Sequence, residues 1–300
     1  MNRERPTVAA PGGDRESSAA PAPNGARLLL DLVTIRYAPL AQKLSIAAET
    51  GFSAVELWSE DVDAAPPDGL RERCADLGLG IEGICPPTDL YRWHAHWDAD
   101  LAAALRGRME TASRLGARYL VLPVMSAEGT LQTLEHNLAR ACELAAAFER
   151  LEVALEPIGH VSKLCRLEAS LDILRRLEGH GNLRLLLDAF HFFRGGNELA
   201  CLAGVDPRRI AAVQVCDGLH LPLDQMVGYR HRTYPGRGAF DVEGFCRALH
   251  ATGYRGPYVV EVLNEELWRD DPRLVARTAF KTASEVLRRA GVDLAHDGTA

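Results

Sequence analysis

From position 26 onward, short apolar segments alternate with longer amphipathic segments along the chain. The short segments are rich in Val, Ile and Leu throughout, which is typical of strands buried on both faces of a parallel sheet. The longer segments repeat their apolar positions every three or four residues, which predicts helices. The predicted strands cover residues 28–37, 54–58, 80–85, 119–124, 152–158, 183–188, 210–216 and 258–263. The predicted helices cover residues 40–50, 69–77, 101–115, 130–150, 167–177, 242–251 and 272–289.

Eight strands in regular alternation with helices predict a single (β/α)8 TIM barrel. No GxGxxG or GxxxxGK[ST] loop follows the first strand, which disfavours a dinucleotide- or nucleotide-binding sheet. We assign residues 26–292 to the barrel and residues 293–300 to a flexible C-terminal tail. Residues 1–25 are rich in Ala, Pro, Gly and Ser and predict a disordered N-terminal tail.

Composition narrows the class of protein. The 300 residues include 34 Lys and Arg against 41 Asp and Glu, and a net charge of −7 disfavours a nucleic-acid or anionic membrane surface. No apolar run approaches the roughly 20 residues that span a bilayer. The seven cysteines are scattered without a CxxC pair, and residues 1–25 contain no apolar signal segment. We therefore expect reduced thiols, a cytoplasmic location and neither nucleic-acid nor membrane partners, and we leave a homo-oligomer open.

Polar residues stand near the ends of several predicted strands, where core packing would not select them. Glu156, Asp188, Gln214 and Glu261 lie on four consecutive strands, and Glu56 lies on the second. A carboxylate in an apolar strand is costly unless it is paired or binds a metal. Because parallel strand ends converge at one face of a barrel, the four residues predict a cation site. Their oxygen atoms favour Mn²⁺ or Mg²⁺ over Zn²⁺.

An ordered series of motifs resembles the xylose isomerase-like barrel superfamily, often called sugar phosphate isomerase/epimerase. The motifs span most of the region assigned to the barrel. They are Gly51-Phe-Ser-Ala-Val-Glu56, Leu155-Glu156-Pro157, Asp188-Ala-Phe-His191, Val213-Gln214-Val-Cys-Asp217, Pro235-Gly-Arg-Gly238 and Gly253-Tyr-Arg-Gly-Pro-Tyr-Val-Val-Glu261. The resemblance implies that Glu156, Asp188, Gln214 and Glu261 are metal ligands.

Two branches of the superfamily are similar to this chain in detail. Gln214, where many relatives have His, is similar to hydroxypyruvate isomerases and 3-dehydroshikimate dehydratases. The segment that includes Arg230 and His231 resembles the dehydratase branch, in which the positions of His191 and Arg230 face substrate. That branch usually has an Arg near position 88, where this chain has Thr88, and Arg92 is the nearest arginine.

The implied chemistry is removal of a proton next to a carbonyl group that a divalent ion polarises. Glu156 or Glu261 would act as base, and His191 would protonate a leaving hydroxyl or bind substrate. Our first hypothesis is an isomerase or epimerase that acts on a small polyhydroxy carbonyl compound. The alternative is a dehydratase of a cyclic hydroxy ketone such as 3-dehydroshikimate, and a weaker one is a non-catalytic binding barrel. Too few strand-end histidines and the acidic balance disfavour an apurinic endonuclease. The predicted substrate-binding residues are Arg230, His231, Glu56 and Trp58.

Overall fold

A computed structural model of the chain describes residues 25–86, 88–160 and 163–295. Eight parallel strands close into a barrel in the order β1-β10-β7-β6-β5-β4-β3-β2. Two short strands, β8 and β9, form a separate antiparallel pair outside the barrel. The strands in the described residues are β1 Leu28–Asp31, β2 Ala54–Leu57, β3 Gly80–Ile84, β4 Tyr119–Val124, β5 Glu152–Pro157, β6 Leu183–Asp188, β7 Ile210–Val215, β8 Asp217–Gly218, β9 Arg232–Thr233 and β10 Tyr258–Val260.

The helices cover the outside of the barrel, and side chains that follow the strands fix where several of them begin. Asp98 and Thr130 accept hydrogen bonds from the first turns of α4 and α5, and Asp188 does so for α7. Gly51 and Gly116 end α1 and α4 in the left-handed conformation. The helices in the described residues are α1 Leu40–Thr50, α2 Ser59–Asp63, α3 Pro67–Asp76, α4 Ala99–Leu115, α5 Leu131–Ala145, α6 Leu167–Arg176, α7 Ala189–Arg194, α8 Val242–Ala251 and α9 Pro272–Arg289.

The barrel strands are buried on both faces, as their continuous apolar runs indicate. On β4, Leu120 and Leu122 belong to the large core cluster, whereas Tyr119 and Val121 belong to a second buried cluster. The second cluster includes residues from seven of the eight barrel strands and Cys85, which directly follows the eighth, β3. Its members are Leu29, Ala54, Cys85, Tyr119, Val121, Ala154, Leu186, Ala211, Ala212 and Val259. This cluster fills the barrel interior. Strand alternation therefore places the residue two positions further on, such as Glu56, Glu156 or Asp188, on the same face and nearer the barrel mouth.

Charged residues close the N-terminal end of the barrel. Glu82 is 5% exposed and accepts hydrogen bonds from Arg27 at 2.6 Å and from Arg118 at 2.7 Å. Arg118 also binds Glu152 at 2.7 Å and donates to the backbone carbonyl of Ala211. These contacts join β3, β4, β5 and β7. The ion network therefore lies at the opposite end of the strands from the predicted site.

One glycine creates space inside the barrel. A Cβ atom on Gly83 would lie 2.0 Å from the ring of Tyr119, far inside van der Waals contact. Only a glycine at this position of β3 lets the fully buried Tyr119 ring pack against the neighbouring strand. The hydroxyl of Tyr119 then reaches Glu56 on β2, at 2.8 Å from Oε1.

The predicted single barrel is confirmed, and a few boundaries differ. The first strand ends at Asp31, because Leu32–Ile35 form a 3₁₀ helix and not a strand. The short helices α2 and α7 follow strands β2 and β6 and were not predicted. Asp293 and Ala295, which we placed in the C-terminal tail, pair through their backbones with Ala26. Residues 1–24 and 296–300 lie outside the described residues.

None of the helices in the described part of the chain combines the length and the apolar character needed to cross a membrane.

Candidate active site

The barrel mouth contains a cavity of about 180 Å³, into which acidic and basic side chains project. Its polar lining comes from the ends of β5 and β10, from α7 and from the segment that leads to β9. The described lining residues are Trp58, Cys85, Tyr91, Val121, Pro123, Met125, Glu156, Ile158, His160, His191, Val227, Gly228, Tyr229, Arg232, Glu261 and Leu263. Three predicted catalytic residues, Glu156, Glu261 and His191, therefore share one small cavity.

The predicted metal ligands are all buried at this end of the barrel. Asp188 and Gln214 are direct neighbours in the register of β6 and β7, so their side chains lie on the same face. Gln214 also pairs with Val259, two residues before Glu261, which places Glu261 on that face as well. Ligand atoms of Glu156, Asp188 and His191 all lie within 4.8 Å of one another. Strand register thus brings together four side chains that are up to 105 residues apart in sequence.

Arg232 is the cation at the centre of this acidic group, and sequence reasoning missed it. Its Nη1 donates to Asp188 Oδ2 at 2.5 Å and to Glu261 Oε2 at 2.9 Å. Its Nη2 lies 3.2 Å from His191 Nε2. The side chain is 3% exposed, and the guanidinium carbon lies 4.8 Å from the ring centre of Phe190. Arg232 thereby neutralises two carboxylates that would otherwise repel each other in a buried site.

The backbone around Arg232 is fixed by a short ribbon. Arg232 on β9 pairs with Gly218 on β8, and Asn264 Nδ2 donates to the Arg232 carbonyl at 2.8 Å. Asp217 accepts backbone hydrogen bonds from Gly218, Gly238 and Phe240, at 2.8 to 2.9 Å. Asp217 therefore anchors the segment that delivers the guanidinium, and it does not itself line the cavity.

A second acidic group lies in the barrel beside the first. Glu56 is fully buried and accepts hydrogen bonds from Tyr119 through Oε1, at 2.8 Å, and from Gln214 Nε2 through Oε2, at 2.6 Å. Asp31 is the register neighbour of Glu56, and Asp31 Oδ2 accepts a hydrogen bond from Trp58 Nε1 at 3.0 Å. The sequence analysis did not identify Asp31, although this carboxylate ends β1 just as Asp188 ends β6.

Burial makes several of these carboxyl groups weak acids. Burial, reinforced by the neighbouring charge of Asp188, raises the pKa of Glu156 to about 8. Burial also raises the pKa of Glu261, Asp31 and Glu56. Burial would raise the pKa of Asp188 as well, but the charge of Arg232 outweighs it and holds the pKa of Asp188 below its usual range. Asp188 therefore ionises most readily in this group, whereas Glu156 keeps its proton up to about pH 8.

His191 is a neutral imidazole in this arrangement. Burial, assisted by the nearby charge of Arg232, lowers the pKa of His191 to about 3. Because Arg232 donates to Nε2, the ring proton belongs on Nδ1, which is buried and has no hydrogen-bond partner among the described residues. Glu156 Oε1 lies 3.9 Å from Nε2, beyond hydrogen-bond distance. His191 can therefore hydrogen-bond a ligand but is a weak proton donor.

The raised pKa of Glu156 predicts how the stability of the metal-free protein depends on pH. Its folded pKa of about 8 exceeds the unfolded value of about 4.3, so folded protein binds the extra proton and stability falls as pH rises. His191, whose folded pKa lies below its unfolded value of about 6.5, contributes a smaller change of opposite sign that ends about one pH unit above that value. We expect a loss of about 2 kcal/mol in unfolding free energy between about pH 6.5 and 8. Urea denaturation with a chelator measures it.

The Glu156→Gln variant is the control for this measurement, because it removes the titrating group and keeps its shape. Its unfolding free energy should change less over the same pH interval than that of the unsubstituted protein. Equal pH dependence in the two proteins would show that Glu156 does not hold the proton.

The predicted substrate-binding residues occupy different positions. Trp58 lines the cavity, whereas the carboxyl of Glu56 lies behind it and binds Gln214. Arg230 is exposed, and its Nε lies 3.4 Å from Glu265. His231 accepts a hydrogen bond through Nδ1 from the backbone of Val227, at 3.0 Å. Neither Arg230 nor His231 lines the cavity, and their roles in substrate binding stay predictions.

The donor atoms fit a divalent cation. The guanidinium of Arg232 shows that Asp188 and Glu261 together accommodate a positive charge between them. Gln214 Oε1 is buried and has no hydrogen-bond partner among the described residues. Because buried polar atoms are normally paired, this oxygen is available to bind a ligand. Glu156, Asp188, Gln214 and Glu261 would hold the ion.

The closed barrel and the acidic cavity at the C-terminal ends of its strands define a class of α/β-barrel enzymes. The chain belongs to the xylose isomerase-like TIM barrel family, whose sequence pattern matches residues 44–293. This match confirms the superfamily that the sequence motifs indicated.

Several known proteins are similar to this chain. A 3-dehydroshikimate dehydratase from Pseudomonas aeruginosa is 30% identical over 75% of the chain, which covers 36% of that protein. The chain thus spans about a third of the dehydratases it matches. An inosose isomerase from Halalkalibacterium halodurans is 27% identical over 63% of the chain and 69% of its own length. The solved structure of an IolI protein with a bound zinc atom superimposes with a TM-score of 0.79, at 21% identity, over 88% of this chain and 99% of that one.

Proposed function

We propose that this protein is a divalent-metal-dependent lyase that dehydrates 3-dehydroshikimate or a similar cyclic hydroxy ketone bearing a carboxylate. The observation that carries the proposal is the position of Arg232 in the cavity wall. Among the described lining residues Arg232 is the only Arg or Lys, and a planar guanidinium suits recognition of a carboxylate. The similarity to dehydratases supports the same choice.

The acidic residues would perform the proton transfers. The carboxylate of Glu156 or Glu261 would remove the proton next to the substrate carbonyl, and the low polarity of the site makes either group a stronger base than in water. The same carboxyl would then give its proton to the leaving hydroxyl, so the products are the unsaturated ring and one water molecule. A bound Mn²⁺ or Mg²⁺ would polarise the carbonyl oxygen and stabilise the charge that develops there.

His191 and Trp58 would position the ring of the substrate. The neutral imidazole of His191 offers an Nδ1–H donor that has no partner in the described residues. Trp58 is held by its hydrogen bond to Asp31, and its indole presents an apolar wall to the cavity. Because burial lowers the pKa of His191 to about 3, we assign protonation of the leaving hydroxyl to a glutamic acid and not to this histidine.

The direct test is incubation of the Mn²⁺-loaded protein with 3-dehydroshikimate while ultraviolet absorbance is followed for an aromatic product. We expect metal-dependent formation of that product, little with a chelator, and little from Glu156→Gln. Absence of product with fully metal-loaded protein would overturn the dehydratase proposal. Titration of metal-free protein with Mn²⁺, Mg²⁺ and Zn²⁺ tests the metal, and a clear preference for Zn²⁺ would contradict the argument from oxygen ligands.

A second candidate is an isomerase or epimerase of a small polyhydroxy carbonyl compound. It is favoured by the presence of two glutamates, Glu156 and Glu261, in the same cavity, since one could remove a proton and the other return it. The similarity to inosose isomerases supports it. Incubation with hydroxypyruvate, inosose or free ketoses in D₂O would show deuterium uptake next to the carbonyl if this candidate is correct.

A further inference from the structure

We infer that Glu56 is a positioning residue that fixes the amide of Gln214 with its oxygen free for the metal. The inference rests on the proposed metal-dependent function and goes beyond it, because it concerns a residue outside the cavity lining. Two observations carry it. Glu56 Oε2 accepts a 2.6 Å hydrogen bond from Gln214 Nε2, and Gln214 Oε1 is buried without a partner among the described residues.

A glutamine amide can rotate by 180° and exchange its oxygen with its nitrogen at little cost when its surroundings do not discriminate. Glu56 discriminates, because a rotated amide would place Gln214 Oε1 against Glu56 Oε2, and two acceptor oxygens repel at hydrogen-bond distance. The NH₂ group therefore faces Glu56 and the oxygen faces away from it. Without such a partner, the amide could present its NH₂ group, which cannot bind a cation.

Glu56 is itself held rigidly enough to impose this orientation. It is fully buried, and its second oxygen accepts a hydrogen bond from Tyr119 at 2.8 Å. Tyr119 in turn packs against Gly83, where no side chain obstructs its ring. A chain of close contacts from β3 through β4 and β2 thus ends at the Gln214 amide on β7. Residues that orient metal ligands in this way commonly change metal affinity when they are replaced.

The test is Mn²⁺ affinity of metal-free protein, measured by the electron paramagnetic resonance signal of free Mn²⁺. We expect Glu56→Gln to weaken Mn²⁺ binding by about 10- to 100-fold. Glu82→Gln is the matched control, because Glu82 is also a buried barrel glutamate but binds Arg27 and Arg118 at the other end. Glu82→Gln should leave Mn²⁺ affinity within about twofold.

A double-mutant cycle separates positioning from general destabilisation. If Glu56 acts through Gln214, Glu56→Gln added to Gln214→Ala should change Mn²⁺ affinity by less than about twofold. A further large loss in that background, or equal affinity of Glu56→Gln and the unsubstituted protein, would overturn this inference while leaving the proposed function standing. If the unsubstituted protein binds no Mn²⁺, Mg²⁺ or Zn²⁺, both the metal-dependent function and this inference are wrong.

Discussion

Replacement of Glu261 by Gln is expected to reduce turnover by about 10³-fold or more while the protein stays folded. Glu261 lines the cavity, binds Arg232 at 2.9 Å and lies on the face that carries Gln214. The substitution removes a candidate base and a proposed metal ligand in one step. Loss of general-base catalysis alone is worth roughly 10²- to 10⁴-fold. Turnover of 3-dehydroshikimate, the proposed substrate, by the Mn²⁺-loaded variant measures the effect.

Glu266→Gln provides the matched control for this prediction. Glu266 lies five residues further along the chain and is exposed, so the same chemical change occurs outside the cavity. Its turnover should equal that of the unsubstituted protein. Full activity of Glu261→Gln would refute the role that we assign to the carboxylate.

Replacement of Arg232 by Met is expected to destabilise the metal-free protein by about 3–5 kcal/mol near neutral pH. The side chain is 3% exposed and lies between Asp188 and Glu261, so its loss leaves buried carboxylates without a counter-charge. Mn²⁺ should restore much of the stability, because it supplies the missing positive charge to the same oxygen atoms. Urea denaturation with chelator and with Mn²⁺ measures both effects, and turnover should be lost in either condition.

Arg230→Met is the appropriate comparison. Arg230 lies two residues away, is exposed and contacts Glu265 in a surface ion pair, which contributes at most about 1 kcal/mol. If both substitutions destabilise the protein equally, the buried position of Arg232 is not the cause. Turnover of Arg230→Met also tests the substrate-binding role that the sequence predicted for Arg230.

The fold could be predicted from the sequence because each strand carries its own signal. Continuous Val, Ile and Leu runs mark strands buried on both faces, and β4 and β6 begin and end where predicted. The metal-ligand set could be proposed because its members share one local rule, a polar residue near the end of an apolar strand. Asp31 follows that rule, but it was not recognised as a strand end because the residues after it are also apolar. Those residues form a 3₁₀ helix, which their composition does not distinguish from a continuing strand.

Arg232 could not be located by the same reasoning. It reaches the site from a segment outside the barrel, and its position depends on the pairing of β9 with β8 and on hydrogen bonds from Asn264. Arg230 lies in a turn and Arg232 begins β9 two residues later, so no strand alternation in the sequence distinguishes the two side chains. Pairing with Gly218 and the contacts with Asp188 and Glu261 decide which guanidinium is buried. Those contacts join residues 14 to 44 positions apart.

The β8–β9 ribbon makes loop length a determinant of the chemistry in this barrel. Asp217 fixes one end of the ribbon through three backbone hydrogen bonds, and Arg232 stands at the other end in register with Gly218. Insertion or deletion of a single residue between them would turn the neighbouring side chain toward the mouth in place of the guanidinium. One such event in a surface loop would change the charge of the cavity without altering any barrel strand. Evolution of new substrate preferences on this scaffold can therefore proceed by changes in loop length as well as by substitution.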